Sequence, residues 1–280
     1  MNPFAFSSFV IVFRETLEAA LIVAIVLTFL SRLGASSYRN YVLGSALGAV
    51  LASAVAARLF EQSVGAFEGR AAEIFEGIFS LSVAAVLTYM IFWMHRQAAR
   101  IRSEIEEHVQ GAVGRNDLWA LMGLPFFAVL REGAETILFL KAAAFQNGGT
   151  VSFTGGVMGF GGAIALVAMI FWLGKRIPLR PFFQGTGFLL TLIAAGMLAY
   201  GIHELEEAAW IPFMIEHIWD LNGILSEKEG IGSFLKAIFG YNANPSLGET
   251  FAYFGYLALI LGITLRRAKG SQVLVSAEAP

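Results

Sequence analysis

The sequence predicts an all-α integral membrane protein with seven transmembrane helices, a 3+3 inverted repeat followed by a seventh helix. Three observations predict it. Of 280 residues, 57% are hydrophobic and 14% are charged, with mean hydropathy +0.68; a soluble domain carries about 25% charged residues. The apolar residues gather into seven blocks, each able to supply the roughly 20-residue helix that a bilayer core of about 30 Å demands. A charged motif inside the first block returns inside the fourth.

In chain order the predicted spans are residues 7–30, 38–60, 74–94, 118–140, 152–174, 185–204 and 250–267. Helices are expected because lipid satisfies no exposed backbone group. The first span is interrupted by Arg14, Glu15 and Glu18. It reads as a retained helix and not a signal peptide, since no basic segment precedes it and apolar residues continue past the charges. In the second span Gly44-x-x-x-Gly48, and in the fifth Gly155-x-x-x-Gly159, have the spacing that lets helices approach closely. Between the third and fourth, residues 95–117 mix basic and acidic side chains and read as a solvated cytoplasmic helix. Residues 205–249 form an extracytoplasmic loop. Within it, Ile231, Phe234, Leu235 and Ile238 recur at helical spacing over residues 229–240, the pattern of a short interfacial helix.

Loop charge sets the orientation. With the N-terminus outside, twelve loop lysines and arginines fall inside: Arg32, Arg39, Arg96, Arg100, Arg102, Arg115, Lys175, Arg176, Arg180, Arg266, Arg267 and Lys269. Five fall outside: Arg58, Arg70, Lys141, Lys228 and Lys236. Positive charge stays cytoplasmic, so the N-terminus is expected outside and the C-terminus in the cytoplasm. Three spans separate the two motifs, so their helices run in opposite directions. Residues 7–94 and 118–204 then form two inverted three-helix repeats within a single transport domain, an arrangement that puts a substrate site at the repeat interface.

The motifs are "FRETLEAALIVAIVL" (13–27) and "LREGAETILFL" (130–140). At about 100° per residue, Glu18 lies about 40° and Glu15 about 100° from Arg14, so all three share one side of the helix. Arg131, Glu132 and Glu135 do the same. A charge at the bilayer centre costs about 2.5–3.5 kcal/mol, so six cost on the order of 15 kcal/mol unless they face one another or water. A structural clamp between helices needs one acid and one base; each motif has two acids for one base. The spare carboxylates point to cation binding or conduction. Hard oxygen donors suit iron, manganese, magnesium or calcium, and proton translocation would use the same residues.

These motifs resemble the paired Arg-Glu-x-x-Glu motifs of the high-affinity iron permease family, the oxidase-dependent permeases of yeast and their bacterial counterparts. "GYNANPSLGETFAYFGY" (240–256) resembles that family as well. The resemblance implies inward transport of oxidised, ferric iron. Glu15, Glu18, Glu132 and Glu135 would be the translocation ligands, with Arg14 and Arg131 balancing their charge. Thr16 stands where glycine is common in the family, which leaves the carboxylates intact. The family works with an iron-oxidising partner, so an extracytoplasmic oxidising or iron-delivering protein is an expected partner beside the lipid bilayer. Iron is cargo, and no resident cofactor is expected.

Acid gathers on the side from which a cation would arrive. Glu73 and Glu76 begin the third span and resemble a further Glu-x-x-Glu element of the family. His203, Glu204, Glu206 and Glu207 end the sixth, and Glu216, His217, Asp220, Glu227, Glu229 and Glu249 follow. Such a field concentrates cations; acids at a helix start are also favoured by its dipole. "HELEE" is not a zinc-protease motif, because Glu207 stands where the second histidine belongs.

Several classes are excluded. With no cysteine there is no disulfide, thiolate metal site or cysteine nucleophile. The net charge of −2 argues against nucleic acid as partner. No Gly-rich loop followed by Lys-Ser/Thr is present to make an ATPase, so the drive is the membrane potential, a proton gradient or coupled oxidation. The expectation is a non-enzymatic iron permease of the bacterial inner membrane. The alternatives are a divalent-metal carrier for lead or manganese, and a non-transporting intramembrane sensor or assembly factor.

Overall fold

Each predicted span folds into a helix. The computed structural model describes residues 3–64, 68–97, 101–146, 152–173, 179–213, 215–227 and 230–277. Among them the α-helices are α1 (Pro3–Arg32), α2 (Arg39–Val64), α3 (Arg70–Gln97), α4 (Ile101–Gly114), α5 (Leu118–Gln146), α6 (Phe153–Leu173), α7 (Leu179–Glu207), α8 (Gly230–Phe239) and α9 (Leu247–Ala277). No strand forms among the described residues. Of the residues named above, Arg100, Lys175, Arg176, Lys228 and Glu229 lie outside the described residues, as does position 174 at the end of the fifth predicted span.

Among the described residues, five helices are long and apolar enough to cross a membrane, over Ser36–Ser63, Arg70–Trp93, Phe153–Trp172, Gly185–Glu207 and Leu247–Arg266. α1 and α5 are as long, at 30 and 29 residues, but the motif charges interrupt their apolar runs. The protein is a multi-pass, all-helical membrane protein.

Helix ends follow local chemistry. α1 closes at Gly34, whose φ of 69° suits glycine. There Ala35 N–H donates to the Leu30 carbonyl (2.9 Å) and Gly34 N–H to Ser31 (3.3 Å). α4 ends in the same way with Asn116 at φ 54°, and Asp117 N–H reaches Ala112 at 2.9 Å. The Asp117 carboxylate then accepts the Ala120 N–H (3.0 Å) and caps α5.

The chain divides into two compact units, Met1–Glu68 with Tyr89–Thr186, and Gly69–Thr88 with Gly187–Pro280. In the first unit α1 lies along α6, α2 along α5, and α1 against α5. A Cβ on Gly159 of α6 would sit 2.6 Å from the Phe9 carbonyl oxygen of α1, so glycine is required there. The contacts expected at Gly44 and Gly48 are corrected. Gly44 meets nothing within 4 Å, and a Cβ on Gly48 would meet only Phe126, at 3.9 Å. The close approach of α2 is made instead against Gly133 of α5, where a Cβ would overlap the Ser53 hydroxyl.

The segment expected to be a solvated helix is corrected too. One face of α4 is solvated, but Ile105, Val109 and Ala112 are buried with Val26, Leu30, Val42 and Leu121. The hydrophobic residues at positions 105, 109 and 112 put an apolar stripe on one side of α4.

In the second unit α3 and α7 cross through small residues: a Cβ on Gly201 would sit 2.9 Å from the Gly77 carbonyl oxygen. Arg70 Nε donates to the Ala208 carbonyl at 2.8 Å. α8 forms in the loop as expected, with Ile231 exposed and Ile238 buried.

Candidate metal centre

The first unit brings both charged motifs together. Helical spacing stacks Glu18 one turn beyond Arg14, and Nη2 of Arg14 meets Oε1 of Glu18 at 2.8 Å. Nη1 of the same guanidinium donates to Glu15 Oε1 and lies 3.7 Å from Met90 Sδ. On α5, Arg131 Nε donates to Glu135 Oε1 at 2.8 Å, while Glu132 Oε1 stays 4.0 Å away. Glu15 and Glu132 are buried, and Arg14 is only 1% exposed.

One carboxylate oxygen from each of Glu15, Glu132 and Glu135 lies within 4.8 Å of the others. Among the described residues, Oε2 of each of these glutamates is buried without a hydrogen-bond partner, as is Oε1 of Glu18, which meets Arg14 as an ion pair. A buried oxygen left unsatisfied is costly, and three carboxylates meeting from two helices offer hard oxygen donors of the kind that could hold a cation. Glu18 is not in this trio; its carboxylate is held by Arg14.

The acids expected on the outer side lie in the second unit and are largely satisfied by protein groups. Tyr200 donates to Glu76 Oε2 at 2.8 Å. His203 Nδ1 lies 2.9 Å from Glu249 Oε1, and its Nε2 lies 3.4 Å from Glu207 Oε1. Glu204 and Glu206 are buried, and Glu206 Oε2 accepts the Ser246 hydroxyl at 2.5 Å. Glu73 occupies the first turn of α3. Among the described residues these acids do not converge as the first unit's trio does.

Two features escaped the sequence reading. Ser246 and Glu249 form a reciprocal cap on α9: Ser246 N–H donates to Glu249 Oε1 (3.0 Å) and Glu249 N–H to Ser246 Oγ (3.1 Å). The Ser-x-x-Glu spacing was the available signal. Trp93 stacks under Arg131, with the guanidinium carbon 4.5 Å from the ring centroid; inside an apolar run nothing marked it.

The whole arrangement has relatives. The chain matches the family described as "Iron permease FTR1 family" over residues 5–271. It is 35% identical over 277 residues to the protein named "Ferrous iron permease EfeU" of Yersinia pestis, covering 97% of this chain and 98% of that one. The protein of the same name from Escherichia coli O6:H1 is 34% identical over 258 residues, covering 90% of this chain and 92% of that one. No solved structure matches. This chain therefore belongs to the iron permease FTR1 family.

Proposed function

We propose that this protein imports iron across the bacterial inner membrane through the carboxylate cage of α1 and α5. The observation that carries the reading is the convergence of Glu15, Glu132 and Glu135, each with a buried oxygen that has no hydrogen-bond partner. Glu18 completes the path beside the trio, and Arg14 and Arg131 balance charge. Glu73, Glu76, His203, Glu204, Glu206 and Glu207 serve cation capture outside, with their internal hydrogen bonds opened or shared as iron passes. An iron-delivering or iron-oxidising partner would work at that side.

The architecture proposed is seven spans with the N-terminus outside and the C-terminus in the cytoplasm. α1, α2 and α3 make one repeat, α5, α6 and α7 its inverted partner, and α9 follows both. Two packing relations support it. The first helix of each repeat lies along the second helix of the other, α1 on α6 and α5 on α2, as a two-fold exchange requires. The third helices cross each other at Gly77 and Gly201.

Formal charge supports one oxidation state over the other. Four carboxylates against two guanidinium groups leave the empty site at a formal −2. A ferrous ion neutralises it, whereas a ferric ion leaves +1 in a medium that penalises net charge. The named relatives are called ferrous permeases. Ferrous iron is therefore the species proposed in the membrane, and ferric iron, which the family resemblance implied, is the second reading. Sealed proteoliposomes supplied separately with radioactive ferrous iron under anaerobic conditions and with ferric iron decide between them. Ferrous uptake well above protein-free vesicles is expected. Ferric-only uptake would select the second reading, and no uptake of either form would overturn the permease.

A further inference from the structure

The two motif arginines have unequal surroundings. Arg14 is sealed: it is held by Glu15 and Glu18, and the thioether of Met90 closes the side beyond Nη1 at 3.7 Å. Arg131 is 43% exposed. It reaches Glu135 through Nε, leaves Glu132 at 4.0 Å, and lies over the Trp93 ring at 4.5 Å. Met90 and Trp93 stand three residues apart on α3, so one face of that helix meets both arginines.

We infer that Trp93 is a positioning residue of the transport site, holding Arg131 over its ring so that Glu132 and Glu135 each keep one oxygen for the cation. The inference rests on the iron-transport reading above. A guanidinium is attracted to an aromatic face without spending its N–H donors. Arg131 held there contributes positive charge but does not pair bidentately with a carboxylate, a geometry that would occupy both oxygens. The free Oε2 atoms of Glu132 and Glu135 are what this arrangement leaves. A thioether offers no such face, so Arg14 remains locked on its own glutamates. Without the Trp93 ring, the Arg131 fork turns onto Glu132 and Glu135 and competes with iron for them.

The test is anaerobic equilibrium binding of ferrous iron to the purified protein in detergent. The set is wild type, Trp93→Phe, Trp93→Leu, Arg131→Gln and the Trp93→Leu/Arg131→Gln double variant. Trp93→Leu should weaken binding about tenfold and Trp93→Phe, which keeps an aromatic face, no more than about threefold. In the Arg131→Gln background Trp93→Leu should change affinity by less than about twofold, because the competing cation is gone. Equal weakening by phenylalanine and leucine, or an undiminished leucine effect without Arg131, would overturn the assignment and make Trp93 a packing residue. Should the leucine variant fail to insert, Trp93→Met, which also lacks an aromatic face, replaces it in both backgrounds, with the same supporting and overturning results. Wild-type protein that binds no ferrous iron, whatever the variants do, would overturn ferrous transport and this assignment with it.

Discussion

Arg14 engages both glutamates of its motif, and that unequal sharing separates residues the sequence treats alike. Glu15 lies in the trio, whereas Glu18 is paired with Arg14 at 2.8 Å and stands outside it. Glu18→Gln should raise the half-saturating iron concentration while leaving maximal uptake within about threefold of wild type, the pattern of altered ground-state binding. Loss of maximal uptake equal to that of a trio residue would put Glu18 inside the cage; initial rates across an iron series in proteoliposomes decide. The six charged residues were legible in the sequence because charge inside an apolar run must be explained. Their inequality was not, since it depends on which side chains α3 brings alongside: a thioether at one arginine and an indole at the other. Nor could spacing reveal that His203, Asn242 and the Ser246 N–H already occupy Glu249, from 2.8 to 3.0 Å.

Among the helices, close approach is confined to a few glycines. Gly159 lets α6 touch the α1 backbone, with a Cβ position only 2.6 Å from the Phe9 oxygen. Gly159→Ala should destabilise the protein by about 1–3 kcal/mol through overpacking, lowering the melting temperature in detergent. Gly44 is the control, because a Cβ there meets nothing within 4 Å. Gly44→Ala should be neutral or stabilise by up to about 1 kcal/mol through helix propensity. A melting temperature unchanged by Gly159→Ala would contradict the packing of α1 on α6. Every predicted span proved to be a helix, since length and apolarity are local properties. Which glycine touches which neighbour is set by helix rotation and crossing, and Gly-x-x-x-Gly spacing alone misassigned Gly44. The apolar side of α4 was readable from Ile105, Val109 and Ala112, but its mixture of charges obscured that stripe.

For the whole molecule, the proposed inverted repeat means that α1 and α5 enter the cage from opposite sides of the membrane. The charge bias of the loops makes this testable in a chain with no cysteine. Cysteines placed at Ser36, Ser103 and Asn222, all exposed, should divide by side. Only Asn222→Cys should react with an impermeant thiol reagent added outside intact cells; labelling of Ser36→Cys or Ser103→Cys would reverse or break the topology. The division into units that interleave the two sequence halves was not legible, because long-range pairing of α1 with α6 and α2 with α5 leaves no local signal. The central claim is that one ion uses carboxylates from both halves. Iron flux through Glu15→Gln and Glu132→Gln in proteoliposomes, normalised to inserted protein, tests it most directly. Each substitution preserves shape and removes one charge of the shared cage. Both should lower flux by about tenfold or more, whichever half carries the change. Wild-type flux in both would contradict the shared cage and leave the paired motifs as a salt-bridge clamp between α1 and α5.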